Sequence, residues 1–217
     1  MKLKTVRKLN KCISITSVTI ALVICACLAL SGFLFAKYTK DLSFSGNVTI
    51  SANLAKNFSL YELKAVADNK GVYSLTAQKV ASNEYMVLPG VNIPKDPKIT
   101  IVGKTNVEAY LYIEVVENLG EGMSYQLSEN WLEVTGANVQ NEGAKLYVYT
   151  EGGSPKIFAG TDDDGEISLI KGDIITVPSS FKMSATDIYS LDFYASLLQK
   201  VDDDPAINYN ENNKVTN

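Results

Sequence analysis

The feature that most constrains the fold is an alternation of side chains along residues 109–116. One side of this segment is apolar, with Ala109, Leu111, Ile113 and Val115. The other side carries Tyr110, Tyr112 and Glu114. Successive side chains of a β-strand point to opposite faces of a sheet, so this alternation predicts a strand. We expect its apolar face to meet the core and its other face to meet water.

The chain after Lys37 consists of short segments rich in Val, Ile, Tyr and Thr, separated by Asn, Asp, Gly and Pro. This pattern is typical of strands joined by turns. Further strands are predicted at 44–51, 58–66, 98–102, 145–150 and 173–177. The connections are too short or too polar for the helices of a parallel α/β fold. The sequence therefore predicts an all-β domain over 37–201, built as an antiparallel two-sheet sandwich.

The end of this domain is ambiguous in the sequence. Residues 188–200 alternate as a strand does, but Ile188, Leu191 and Leu198 also fit one face of a helix. Sheet context commonly overrides helix propensity, so we predict a terminal strand. The following segment, 202–217, is polar and is predicted to be a disordered tail.

Residues 12–36 contain no charged side chain, and basic residues precede them without acidic neighbours. A run of this length predicts an N-terminal hydrophobic helix that directs the chain across the cytoplasmic membrane. Residues 1–36 are then either a signal peptide cleaved near Ala36 and Lys37 or a retained membrane anchor. Five of the 20 basic residues and none of the 24 acidic residues fall in this segment. The exported part is therefore acidic, which argues against nucleic acid as a partner.

The residue types needed for much enzyme chemistry are missing. The chain has no histidine, and its three cysteines, Cys12, Cys25 and Cys27, lie in the hydrophobic segment. The exported part thus has no disulfide, thiolate or imidazole ligand, and no serine in a recognisable nucleophile motif. We expect no enzymatic activity and no cofactor.

Three carboxylates at 162–166 form a weak calcium candidate: Asp162, Asp164 and Glu166. The spacing does not fit an EF-hand loop, because Gly165 comes too early. An Asp-Gly pair strongly favours tight turns, so an exposed hairpin turn at Asp164 and Gly165 is the preferred interpretation.

Two other features have structural interpretations. Pro89 and Gly90 predict a turn with a positive φ at the glycine, after which Pro94 and Pro97 hold the chain extended up to a strand at Lys98. A set of four tyrosines is open to two interpretations, an aromatic stripe for glycan or subunit contact or ordinary cross-strand packing: Tyr110, Tyr112, Tyr147 and Tyr149.

Several of these segments follow one another as in a known family. They are residues 36–46, 87–97 and 107–115, followed by 131–134, 145–149, 157–158 and 192–195. In this order the chain resembles the TasA/camelysin family of matrix and surface proteins. These proteins are exported by Gram-positive bacteria with the help of a SipW-type signal peptidase.

The resemblance implies a jelly-roll sandwich and a structural role in the extracellular biofilm matrix or at the cell surface. It also implies partners, namely copies of the chain or a related matrix subunit, which would join into fibres by lending an N-terminal strand. The candidate donor residues are Leu42, Phe44, Val48 and Ile50. Their alternation suits either donation to a neighbour or pairing within the same chain. The alternative function is a membrane-anchored extracellular binding ectodomain.

Overall fold

The computed structural model describes residues 41–44, 46–50, 57–102, 105–160, 165–182 and 188–213, which all belong to one compact unit, Lys40–Asn217. The described strands are β1 (Asp41–Phe44), β2 (Gly46–Ile50), β3 (Asn57–Ala67), β4 (Tyr73–Val80), β5 (Asn83–Met86), β6 (Ile93–Pro94), β7 (Lys98–Val102), β8 (Thr105–Asn118), β9 (Trp131–Glu133), β10 (Lys145–Glu151), β11 (Ser154–Pro155), β12 (Phe158–Gly160), β13 (Glu166–Ser168), β14 (Ile174–Ile175) and β15 (Ser190–Gln199). A short 3-10 helix spans Lys171–Asp173, and one α-helix, α1, spans Pro205–Asn212.

The strands form two main sheets. The large sheet has the order β11-β10-β8-β15-β2, with β12 also beside β8 and β9 beside β10. The small sheet has the order β13-β7-β3-β4, and two further pairs are β1–β5 and β14–β6. Within the described chain, β15–β2 is the one parallel pair. These antiparallel sheets confirm the predicted all-β class.

The main core contains the inner faces of both sheets. Ala109, Leu111, Ile113 and Val115, which the alternation assigns to the core, are at most 1% exposed. They cluster with Phe193 and Leu197 of β15 and with Ile99 and Ile101 of β7. The prediction for this face is therefore confirmed.

The other face of β8 does not meet water, so that part of the prediction is wrong. Tyr110, Tyr112 and Glu114 are each at most 3% exposed. The two tyrosines belong to a second apolar cluster with Leu146, Val148, Leu198 and Tyr209, against which Val134, Ala137 and Val139 pack. The large sheet is thus covered on both faces.

The C-terminal segment provides this cover, and the predicted disorder of 202–217 is wrong for α1. Asp204 caps the helix by accepting hydrogen bonds from the N–H groups of Ala206 and Ile207, and Pro205 occupies the first turn. Asn208 and Tyr209 are buried. The burial of these two side chains therefore orders a segment whose composition alone favours disorder.

Residues 190–199 form β15, which confirms the strand assignment for the ambiguous segment. β15 lies between β8 and β2 in the large sheet, so its backbone groups are paired on both edges. Sheet context has overridden the helix propensity of its leucines.

Two turn predictions have different outcomes. Gly90 has a φ of 76°, as the turn predicts, and β7 begins at Lys98. The strands on either side of Asp164 and Gly165 do not form a hairpin with each other, because β12 pairs with β8 of the large sheet and β13 pairs with β7 of the small sheet. Asp164 itself lies outside the described residues.

The described part of the chain contains no helix with the length and apolar character needed to cross a bilayer. The predicted hydrophobic helix at 12–36 and the cleavage region at Ala36 and Lys37 lie outside the described residues.

Candidate functional site

The strands β1 and β2 belong to two different sheets. β1 runs antiparallel to β5, with Leu42 opposite Tyr85 and Phe44 opposite Asn83. β2 runs parallel to β15, from Gly46 opposite Phe193 to Ile50 opposite Leu197. The structure therefore shows the arrangement in which the candidate donor segment pairs within its own chain.

β2 occupies the outer edge of the large sheet. Val48 lies opposite Ala195 and Ile50 opposite Leu197, and both of these β15 residues are fully buried. A displaced β2 would leave the outward N–H and C=O groups of Phe193–Leu197 without ladder partners. The same strand from another copy would satisfy those groups with equal hydrogen bonds. Residues 46–50 thus form an edge strand that is joined to β15 by main-chain pairing.

An aromatic groove of ≈ 510 Å³ lies at the surface beside β9 and β10. Its lining includes Met123, Tyr125, Trp131 and Tyr147. The Tyr125 hydroxyl donates to Glu117 Oε1 at 2.7 Å, and burial raises the pKa of this tyrosine, which keeps the phenol protonated. Aromatic rings beside carboxylates can bind a polar ligand with apolar faces.

The four tyrosines singled out in the sequence do not form one stripe. Tyr147 lies opposite Ile113 in the β10–β8 register, whereas Tyr112 lies opposite Val148. Tyr147 and Tyr149 therefore face the main core, and Tyr110 and Tyr112 face the second cluster. Cross-strand packing explains these positions. The interpretation of the four tyrosines as one aromatic stripe for glycan or subunit contact is wrong.

Of the calcium candidates, Glu166 alone belongs to the described residues. Its carboxylate accepts a hydrogen bond from the Tyr61 hydroxyl and pairs with Lys79 at 3.5 Å and Lys98 at 3.6 Å. The bond from Tyr61 and the two lysines lower the pKa of Glu166. Asp162 and Asp164 lie outside the described part of the chain, within which no group of three metal-ligating side chains occurs.

A buried polar cluster, which sequence reasoning missed, lies where β3 and β5 approach the segment after β6. It consists of Glu62, Asn83, Lys95 and Asp96, with exposed fractions of 2%, 6%, 0% and 1%. Lys95 Nζ contacts Glu62 Oε1, and Asn83 Nδ2 donates to Glu62 Oε2 at 3.0 Å. A lysine between two prolines gives no sign of burial in the sequence. We call these four residues the Glu62 cluster.

Comparisons of the chain with protein-family models, curated proteins and solved structures give no match. Function must therefore be inferred from the sequence and geometry of this chain.

Proposed function

We propose that this protein is an exported structural component of the extracellular biofilm matrix or the cell surface. Copies of the chain, or this chain and a related subunit, would assemble by exchanging N-terminal strands. The resemblance to the TasA/camelysin family and the hydrophobic segment at 12–36 support this role. In this proposal the chain is not an enzyme, and a SipW-type peptidase releases it near Ala36.

The observation that carries the proposal is the position of β2. It is a short strand on the edge of the large sheet, and three of its five register partners on β15, Phe193, Ala195 and Leu197, are buried core residues. An incoming strand would thus gain main-chain hydrogen bonds and a defined register together. The two-sheet arrangement is compatible with the jelly roll that the family resemblance implies.

Disulfide trapping tests strand exchange directly. In a background with Cys12, Cys25 and Cys27 changed to Ser, one preparation carries Val48→Cys and another carries Ala195→Cys. Register partners in adjacent strands lie within disulfide range. After the two preparations are mixed and oxidised, a disulfide-linked dimer is expected, because Val48 of one copy pairs with Ala195 of another.

Thr49→Cys mixed with Ala195→Cys is the matched control, since the register pairs Thr49 with Ser196 and not with Ala195. A double variant with both Val48→Cys and Ala195→Cys reports pairing within the chain. An internal disulfide in the double variant, with no dimer from the mixed single variants, would overturn strand exchange.

The N-terminus of the product separates the proposal from its alternative. We would express the full chain in a Gram-positive host and determine the N-terminus by mass spectrometry, separately in membrane and medium. A product in the medium that starts within a few residues of Lys37 supports a released subunit. An intact Met1 form confined to membranes would instead support the anchored binding ectodomain.

The aromatic groove is the observation that favours this second candidate function. Trp131 is held in place by packing edge-to-face on Tyr149 at 5.2 Å between ring centroids, and its Nε1 donates to the Ser168 carbonyl at 3.3 Å. A preformed aromatic wall is suited to binding a sugar ring. Titration of tryptophan fluorescence with cell-wall glycan fragments checks this function, and an unchanged spectrum would count against it.

A further inference from the structure

The Glu62 cluster contains the groups needed to join two side chains through an amide bond. Glu62 lies between a primary amine and a carboxamide: Oε1 contacts Lys95 Nζ, and Oε2 accepts from Asn83 Nδ2 at 3.0 Å. The two oxygens of one carboxylate thus hold both reacting groups on a single buried residue. Such an arrangement lowers the entropic cost of their reaction.

The amine is placed where burial shifts its protonation toward the neutral, nucleophilic form. Lys95 is 0% exposed, and burial lowers its pKa, although the charge of Glu62 opposes this shift. Desolvation disfavours the ammonium ion, so a proton can move from Lys95 to the adjacent carboxylate.

The carboxamide is polarised and fixed by the backbone of β3. Asn83 Oδ1 accepts from the Ala65 N–H at 2.8 Å, and Nδ2 donates to the Leu63 carbonyl at 2.9 Å. The β3–β4 register shifts between Leu63 and Ala65, where Asn83 takes up these two backbone groups. The Ala65 N–H can therefore stabilise negative charge that develops on Oδ1 during nucleophilic attack.

We propose that Lys95 and Asn83 become joined by an intramolecular isopeptide bond, with Glu62 carrying the protons. The Lys95 amine attacks Asn83 Cγ, a new Nζ–Cγ bond forms, and the Cγ–Nδ2 bond breaks. Lys95 gives up two protons in succession through Glu62, both of which end on the departing nitrogen. Ammonium leaves, Glu62 returns to a carboxylate, and no oxidant or cofactor is needed.

This inference is independent of the proposed function, because it concerns a bond within one chain. The competing explanation is a non-covalent ion pair, with Asn83 filling the irregularity beside β3. The two explanations differ in the mass of the protein. The cross-linked chain is lighter than its sequence by one ammonia, and the ion-paired chain has the full mass.

The test is mass spectrometry of the full chain under denaturing conditions, after its N-terminus has been determined. We expect a deficit of one ammonia and, after trypsin digestion, a branched peptide that links residue 83 to residue 95. Trypsin should also fail to cleave after Lys95. A full-mass folded chain, or a deficit without this branched peptide, would overturn the proposal.

Variants assign the roles by comparison with the mass deficit of the wild type. Glu62→Gln keeps a hydrogen-bonding side chain of the same size but cannot carry protons, so it should have the full mass. Asn83→Asp removes the departing nitrogen and should lose the ammonia deficit. Lys171→Arg is the matched control, because its ion pair is with the exposed Glu129 and not with a member of the cluster, and it should retain the deficit. A deficit that persists in Glu62→Gln would overturn the role of Glu62.

Discussion

The chain buries two glutamates, and their surroundings differ in kind. Glu62 lies on β3 of the small sheet and Glu114 on β8 of the large sheet, with exposed fractions of 2% and 3%. Burying a carboxylate is costly unless hydrogen bonds or an opposite charge compensate. Both sites meet this requirement, but through different partners.

Glu114 is surrounded by neutral donors. Its carboxylate accepts from the backbone N–H groups of Gln140 and Asn141, from Asn141 Nδ2 and from the Tyr209 hydroxyl. Glu62 instead contacts an amine and an amide. The comparison shows that the identity of the donors decides the role of a buried carboxylate. Neutral donors make Glu114 an anchor for distant segments, whereas the amine beside Glu62 makes a reaction feasible.

The largest effect is expected from Lys95→Ala, which leaves Glu62 buried without the side chain that contacts its Oε1. Breaking a buried pair in this way costs about 3–5 kcal/mol in the free energy of unfolding. Lys171→Ala is the matched control: its ion pair with Glu129 is exposed on both sides, so its loss should cost much less. Urea unfolding of the two variants measures both values. Equal losses would show that Lys95 has no special place in the cluster.

Tyr209→Phe tests the anchoring role of Glu114 by removing one donor and little volume. A hydrogen bond to a charged group contributes about 1.5–3 kcal/mol, so we expect a loss of that size in urea unfolding. Tyr149→Phe removes a hydroxyl that accepts from Asn130 at an exposed site and should cost less. If Tyr209→Phe is as stable as the wild type, Glu114 does not anchor α1.

Asp204→Ala should also destabilise helix α1, but by a smaller amount than Tyr209→Phe. It removes the side chain that accepts from Ala206 and Ile207, which typically costs about 1 kcal/mol. Amide hydrogen exchange should accelerate in α1 while β15 stays protected. Asp203→Ala serves as the control, because its side chain is 91% exposed. Uniform acceleration across the domain would contradict a locally docked helix.

The smallest effect concerns Asp96 and pH. Burial raises the pKa of Asp96, and within the described chain its Oδ2 has no hydrogen-bond partner. The folded state therefore holds a proton more tightly than the unfolded state, so this group adds stability as pH falls through its raised pKa. Asp96→Asn should remove that gain. Urea unfolding of both proteins from neutral to acidic pH checks this, and parallel curves would refute it.

The sequence predicted the strands in which every second side chain is apolar and faces the main core. In β8 and β15 the alternation of apolar side chains reports directly on burial in the main core, so the class of the fold follows from it. The N-terminal segment at 41–50 was likewise visible as an alternating run. Its partners were not, because β5 and β15 are distant in sequence.

The second cluster could not be predicted for a different reason. Glu114 and Tyr209 are polar residues whose burial depends on each other, although they lie 95 positions apart in the sequence. Taken alone, each favours an exposed surface. The burial of Lys95 has the same cause, since it depends on contact with Glu62 in β3. A local sequence pattern cannot reveal polar contacts between residues that are distant in the sequence.

The parallel pairing of β2 with β15 determines how this domain would respond to tension. Once α1 has released, a force pulling the start of β2 away from the end of β15 acts along both strands in opposite directions. The register from Gly46–Phe193 to Ile50–Leu197 is then loaded in shear, and its hydrogen bonds must fail together. An antiparallel terminal pair would open one bond at a time. The edge strand β2 would thus hold firmly when the domain is pulled in this direction.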